Sequence, residues 1–72
     1  MLEYNRSIAV ILPAYNEELT IAGTLRAFHA VMPDAFFYVV DNNSTDATAH
    51  IAEETLANLG AQGGLLHEAR QG

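Results

Sequence analysis

Apolar positions change their spacing along this chain, and each change marks an element. Ile8 to Leu12 are five consecutive apolar residues closed by Pro13, the pattern of a strand covered on both faces. From Glu17 onward the apolar residues Ile21, Leu25, Phe28 and Met32 recur at helical offsets, with Glu17 and Glu18 placed to complement the positive end of that helix. Pro33 and Asp34 end it. Phe36 to Val40 is a second strand, aromatic and β-branched, that closes on Asp41. After the turn Asn42 to Ser44, a second amphipathic helix is marked by Thr48, Ile51, Ala52, Thr55, Leu56 and Leu59. Ser44 or Thr45 is its expected cap, and Gly60 lies past its end. Leu65 to Glu68 is assigned as a third strand. The order is β-α-β-α-β, with no repeats, no low-complexity segment and no linker.

Composition narrows what such a unit can do. Its 72 residues are half hydrophobic and 17% charged, which is globular, and a chain of this length buries only about 60% of its unfolded surface. The formal net charge is -6 and lysine is absent, which argues against a nucleic-acid or anionic-membrane surface. Without cysteine there are no disulfides, thiolate metal sites or cysteine nucleophiles. The polar start "MLEYNRS" and the short apolar run after it are not a signal peptide, and no segment approaches a membrane span, so a cytosolic location is expected.

Parallel strands joined by helices cross over with one hand, so both strand-to-helix loops are expected at the carboxyl edge of the sheet, where open α/β sheets bind ligands. These loops are Pro13 to Glu17 and Asp41 to Thr45. Each feeds a helix N-terminus whose amides favour an anion such as phosphate, while an acidic side chain there accepts donors from a base or sugar. A strand order of 3-2-1 places both helices on one face and leaves the other bare; an order of 2-1-3 places them on opposite faces. Either leaves exposed edges, so the unit is expected to be the front portion of a larger domain or to need a partner, including a second copy through the uncovered sheet.

Local chemistry gives each residue two readings. Pro13 either stops an edge strand or shapes a ligand loop. Asn16 and Glu17 serve as cap and dipole-compensating acid, or as ligand contacts; Tyr15 packs, or stacks on a base. Asp41 has the strongest case for binding, because a carboxylate after five apolar residues is costly unless it meets water or a donor. Asp46 reads as structural at the helix start. His29, His50 and His67 lie on different elements and read as surface or packing residues. "DNNSTD" imitates a calcium loop but has Asp46 at the glycine position and Ala52 at the twelfth, which rules that out.

"VILPAYNEELTIAGTL" followed by "YVVDNNSTDATAHIAEE" resembles the opening of the family 2 inverting glycosyltransferases. The resemblance implies the Rossmann-like front half of a GT-A fold and a nucleotide-diphosphate sugar donor of UDP or GDP type. It places Pro13, Ala14, Tyr15, Asn16 and Glu17 along the nucleotide pocket and Asp41 on the base. Ser44 and Asp46 would fix the second loop. "EARQG" resembles the start of a further donor-site segment, with Arg70 expected to approach the nucleotide.

The family's Asp-x-Asp motif, which binds Mg or Mn and the pyrophosphate, is not in this chain, and Asp41 and Asp46, five apart, do not supply it. The catalytic base is also missing, so no turnover is expected from these residues alone. The alternative is an α/β module that binds nucleotide, or a partner, without chemistry.

Overall fold

The computed structural model describes residues 8–68. Five elements follow in the expected order: β1 (Ala9–Ala14), α1 (Ile21–Val31), β2 (Phe36–Asp41), α2 (Thr48–Leu59) and β3 (Gln62–His67). The three strands are parallel in the order β1-β2-β3, a Rossmann-like α/β unit. Register aligns Leu12 with Val39 and Leu65 in mid-sheet, and Ala14 with Asp41 and His67 at the carboxyl edge.

Alternation along the strands decides which side is core. Phe37 and Val39 of β2, with Ala14 of β1, join Ile21 and Leu25 of α1 and Ala52 and Leu56 of α2 in one buried cluster. Both helices therefore cover the same face. Full burial of a side chain the size of Leu25, Phe37 or Val39 contributes about 1.5–3 kcal/mol, so this layer holds the unit together. The opposite face carries Ile11, Phe36, Tyr38, Val40 and Leu66 and has no cover among the described residues. Ile11 is 62% and Leu66 52% exposed. The strands thus read as apolar on both sides while only one side is packed.

Several boundaries differ from the sequence expectation, each for a local reason. β1 does not stop at Leu12 but runs through Pro13 to Ala14. The carbonyls of Ile8 and Ala14 accept bonds from β2 and the residue after it, and alternate residues share that phase. Pro13, one out of phase, turns its nitrogen to the open edge and no ladder bond is lost. β3 begins three residues earlier than expected, through Gly63 and Gly64. A side chain at Gly63 would meet the Phe37 carbonyl oxygen at 2.1 Å, and its φ is +115°; the close approach of β3 to β2 requires glycine there.

The helices also differ at their ends. Glu17 and Glu18 lie in the turn before α1, whose first turn carries no acid. Phe28, expected in the core, is 38% exposed, and His29 turns inward to pack its ring against Phe37 at 5.8 Å between centroids. Neither Ser44 nor Thr45 caps α2; Ala47 stands at the cap position without a side-chain bond. Gly60 closes α2 in the left-handed conformation (φ 67°), where Ala61 N–H reaches the Leu56 carbonyl at 3.0 Å.

Candidate functional site

The loops after β1 and β2 lie side by side at the carboxyl edge and are bonded to each other throughout. Asn16 N–H donates to Ser44 Oγ (2.9 Å), Glu17 N–H to Thr48 Oγ1 (2.7 Å) and Glu18 N–H to Asp46 Oδ2 (3.3 Å). In the other direction, Thr45 N–H donates to Asn16 Oδ1 (2.8 Å) and Ala47 N–H to Glu18 Oε1 (3.1 Å). Asp46 Oδ1 accepts the Thr48 N–H at 2.9 Å and a short bond from the Thr48 hydroxyl. Ser44 and Asp46 therefore fix the loop, as the family resemblance implied.

This pattern corrects the expectation of phosphate at the helix starts. The amides that would cradle an anion already donate to Ser44, Thr48, Asp46, Asn16 and Glu18. The chain's own carboxylates stand where a phosphate would, and Glu18 complements the start of α2 rather than α1. A depression of about 330 Å³ beside the loops is lined by Asn16, Glu17, Glu18, Leu19, Thr20 and Asp46. Three carboxylates on its rim repel phosphate. The Thr48 hydroxyl, working against burial and aided by the amides of Thr48, Glu18 and Asp46 itself, holds the Asp46 carboxyl below its ordinary value.

Asp41 is the exception in this saturated network. It is 3% exposed, one position past Val40 on the helix-covered face, level with Ala14 and His67. Oδ2 accepts the Ser44 N–H at 3.3 Å and stands 3.6 Å from His67 Nδ1, an ion-pair separation rather than a hydrogen bond. Oδ1 is buried without a hydrogen-bond partner among the described residues. A polar atom left so costs about 1–3 kcal/mol, and more when charged, which marks a place where a donor is missing.

The structure brings Pro13, Ala14, Tyr15, Asn16, Glu17 and Asp41 to one edge. Tyr15 is exposed beside the loops with its ring uncommitted to the core. Asn16 has a φ of 49°, a left-handed conformation that asparagine tolerates, and its side chain belongs to the inter-loop bridge rather than to a helix cap. Arg70 lies outside the described residues. Sequence reading gave His67, Glu18 and Thr48 local roles only, as a surface or packing residue, a dipole-complementing acid and a position on the second helix. His67 reads as a surface residue until β3 is set in register with β2, and the glycines opening β3 hide that register. Among the described residues no group of three or more His, Asp or Glu side chains converges to hold a metal ion, and no helix is long and apolar enough to cross a membrane.

Comparison with known proteins places nearly the whole chain within one family model. Residues 9–70 match the model of the family described as glycosyl transferase family 2. Over 53 residues the chain is 49% identical to Protein RfbJ of Shigella flexneri, an alignment covering 74% of this chain and 41% of that protein. The chain thus spans about two fifths of the length of this curated relative. No solved structure gives a significant match.

Proposed function

Because the chain belongs to glycosyl transferase family 2, we propose that it supplies the nucleotide-binding part of a donor site, from which a sugar passes to an acceptor hydroxyl with inversion. The observation that carries this is the buried Asp41 carboxylate with Oδ1 unpaired at the carboxyl edge of a parallel sheet, where α/β folds bind their ligands. A nucleobase N–H is a donor of the right kind for that oxygen, and Tyr15 is a platform for the base or ribose. Pro13, Ala14, Asn16 and Glu17 shape the wall beside them. The inter-loop bonds keep that wall rigid before ligand arrives, which lowers the ordering cost of binding.

With the loop amides taken, the diphosphate is held by groups other than the helix starts; Arg70 is one candidate. The Mg or Mn ion expected for a complete domain finds no fitting ligand set among the described residues, and no step of the transfer is assigned to it. Nor is a general base assigned. The contribution of these residues is binding and orientation of the donor.

The test is an NMR titration of the chain with UDP, following the amides of Tyr15, Glu17 and Asp41. Saturable shifts confined to the two loops are expected, and Asp41→Ala removes them while the spectrum stays dispersed. Unchanged affinity in a folded Asp41→Ala variant would take this carboxylate out of the site. A second reading, an interaction module without chemistry, is favoured by one observation, the uncovered apolar face of the sheet.

A further inference from the structure

The sheet has two open edges, and they differ. On β1 the residues out of phase with the β2 ladder are Ala9, Ile11 and Pro13, and Pro13 has no N–H to offer, which blunts that edge. β3 forms the other edge. Glu68 N–H donates to the Asp41 carbonyl at 2.8 Å, so Leu66, in the same phase, also bonds to β2. Leu65 and His67 therefore turn their backbone N–H and C=O outward, and no described residue bonds to those groups. Neither proline nor lysine blunts this edge between Gln62 and Glu68.

Beside it lies a groove of about 230 Å³ between β3 and α2, with Glu53, Leu56 and Ala57 on the helix side and Gly63, Gly64 and Leu65 on the strand side. The paired glycines contribute no side chains to fill it. Leu56 and Leu65 make its lining apolar, while Glu53 is exposed and forms no hydrogen bond or ion pair among the described residues. We propose that the open edge of β3 docks an extended basic peptide segment, which adds as a further strand, sets one small aliphatic side chain in the groove and brings a lysine or arginine to Glu53. Main-chain bonds supply affinity in such strand addition, and alternate side chains supply specificity. The aliphatic and basic residues are two positions apart, because alternate side chains of a strand share a face. A second copy, with a formal charge of -6 and no lysine, meets this acidic rim with like charge. The proposal is independent of the nucleotide reading, which concerns the carboxyl edge of the sheet.

The test is an NMR titration of the full chain with the acetylated, amidated peptide Arg-Thr-Val-Thr-Arg, which presents the same pattern in either strand direction. At saturation, amide exchange at Leu65 and His67 is expected to slow at least about tenfold more than at Leu66, which already bonds to β2. The same peptide N-methylated at its three central residues keeps its side chains and loses its donors, and is expected to bind at least about tenfold more weakly. Glu-Thr-Val-Thr-Glu is expected to lose at least as much. Ala57→Phe fills the groove from an exposed helix position and weakens the basic peptide about fivefold or more; Glu53→Gln narrows the preference for basic over acidic peptide. Equal binding of the N-methylated peptide, or no saturable response at Leu65 and His67, overturns the proposal. Exchange at these amides that slows with protein concentration, without peptide, also overturns it and assigns the edge to a second copy. The peptides are compared on the wild type, so a variant that fails to fold does not shelter the proposal.

Discussion

Asn16 and Thr45, 29 positions apart, are tied through one side chain: Asn16 Oδ1 accepts the Thr45 N–H at 2.8 Å and faces the Thr45 hydroxyl at 3.3 Å. The Asn16 amide meanwhile donates to Ser44, so one residue holds two consecutive residues of the second loop against the first. Its left-handed backbone (φ 49°) makes two contributions separable. Asn16→Gly keeps the conformation and loses the side-chain bond, for a cost of about 1 kcal/mol. Asn16→Ala also loses the left-handed tolerance and costs about 2 kcal/mol or more. Urea denaturation of both variants checks this, and equal losses would show that backbone conformation contributes nothing.

That bridge shows where the sequence was legible and where it was not. The five elements, the cap at Gly60 and the pairing of two loops at one edge follow from local periodicity and crossover geometry, whereas the bare sheet face depended on a strand order that only the structure decides. The inter-loop bonds do not follow from periodicity either, because Asn16, Glu18, Ser44 and Thr48 have good local uses as caps and dipole partners. Only the sheet register, which brings Ala14 level with Asp41, puts them within reach of one another. Pro13 misleads for a related reason: its effect depends on which way its nitrogen faces, and that phase is a property of the pairing. The proximity of His67 to Asp41 was hidden twice, by a weak third strand and by the glycines that open it.

Asp46 gives the lock a pH dependence with a definite sign. Its carboxyl is held below the ordinary value of 3.8, chiefly by the Thr48 hydroxyl, so the folded chain binds fewer protons there than the unfolded one. The resulting stability is complete above the unfolded value and is lost as pH falls through the lowered folded value. Urea midpoints measured from about pH 5 down to 2 are expected to fall more steeply for the wild type than for Asp46→Asn. Parallel curves would show that this carboxylate has no linkage to folding.

Thr48 joins the same lock from inside. It is fully buried, and its hydroxyl accepts the Glu17 N–H at 2.7 Å while donating to Asp46. Thr48→Val keeps the shape and removes both bonds, leaving the Glu17 amide unpaired at a part-buried position. A loss of about 1–3 kcal/mol is expected, with faster hydrogen exchange at the Glu17 amide than at core amides such as Val39. Retained protection at Glu17 would show that the amide has another acceptor.

The two glycines opening β3 predict opposite outcomes for one substitution. Gly63→Ala drives a Cβ into the Phe37 backbone, 2.1 Å from its carbonyl oxygen, and forces a residue with a side chain to a φ of +115°. Separation of β3 from β2 and a loss above about 3 kcal/mol are expected. At Gly64 nothing lies within 4 Å of the added atom, and alanine there changes stability by about 0.5 kcal/mol or less. Thermal melts of the pair decide it; similar melting temperatures would mean that β3 is not held at this register.

The uncovered face of the sheet predicts association. Ile11, Tyr38, Val40 and Leu66 form a contiguous apolar surface, with Phe36 stacked beside Tyr38 at 6.5 Å, and such patches drive contact with other surfaces. In isolation, the chain is expected to sediment with a mass that rises with concentration. Ile11→Lys combined with Leu66→Glu places opposite charges on two exposed positions of that face, 62% and 52% open. Each substitution costs the fold little at a solvent-facing site, yet burial of the pair in a second copy becomes unfavourable. The double variant is therefore expected to sediment as a monomer with an unchanged far-UV circular dichroism spectrum. A wild type that stays monomeric at high micromolar concentration would show that the face is tolerated in water and has no role in self-association.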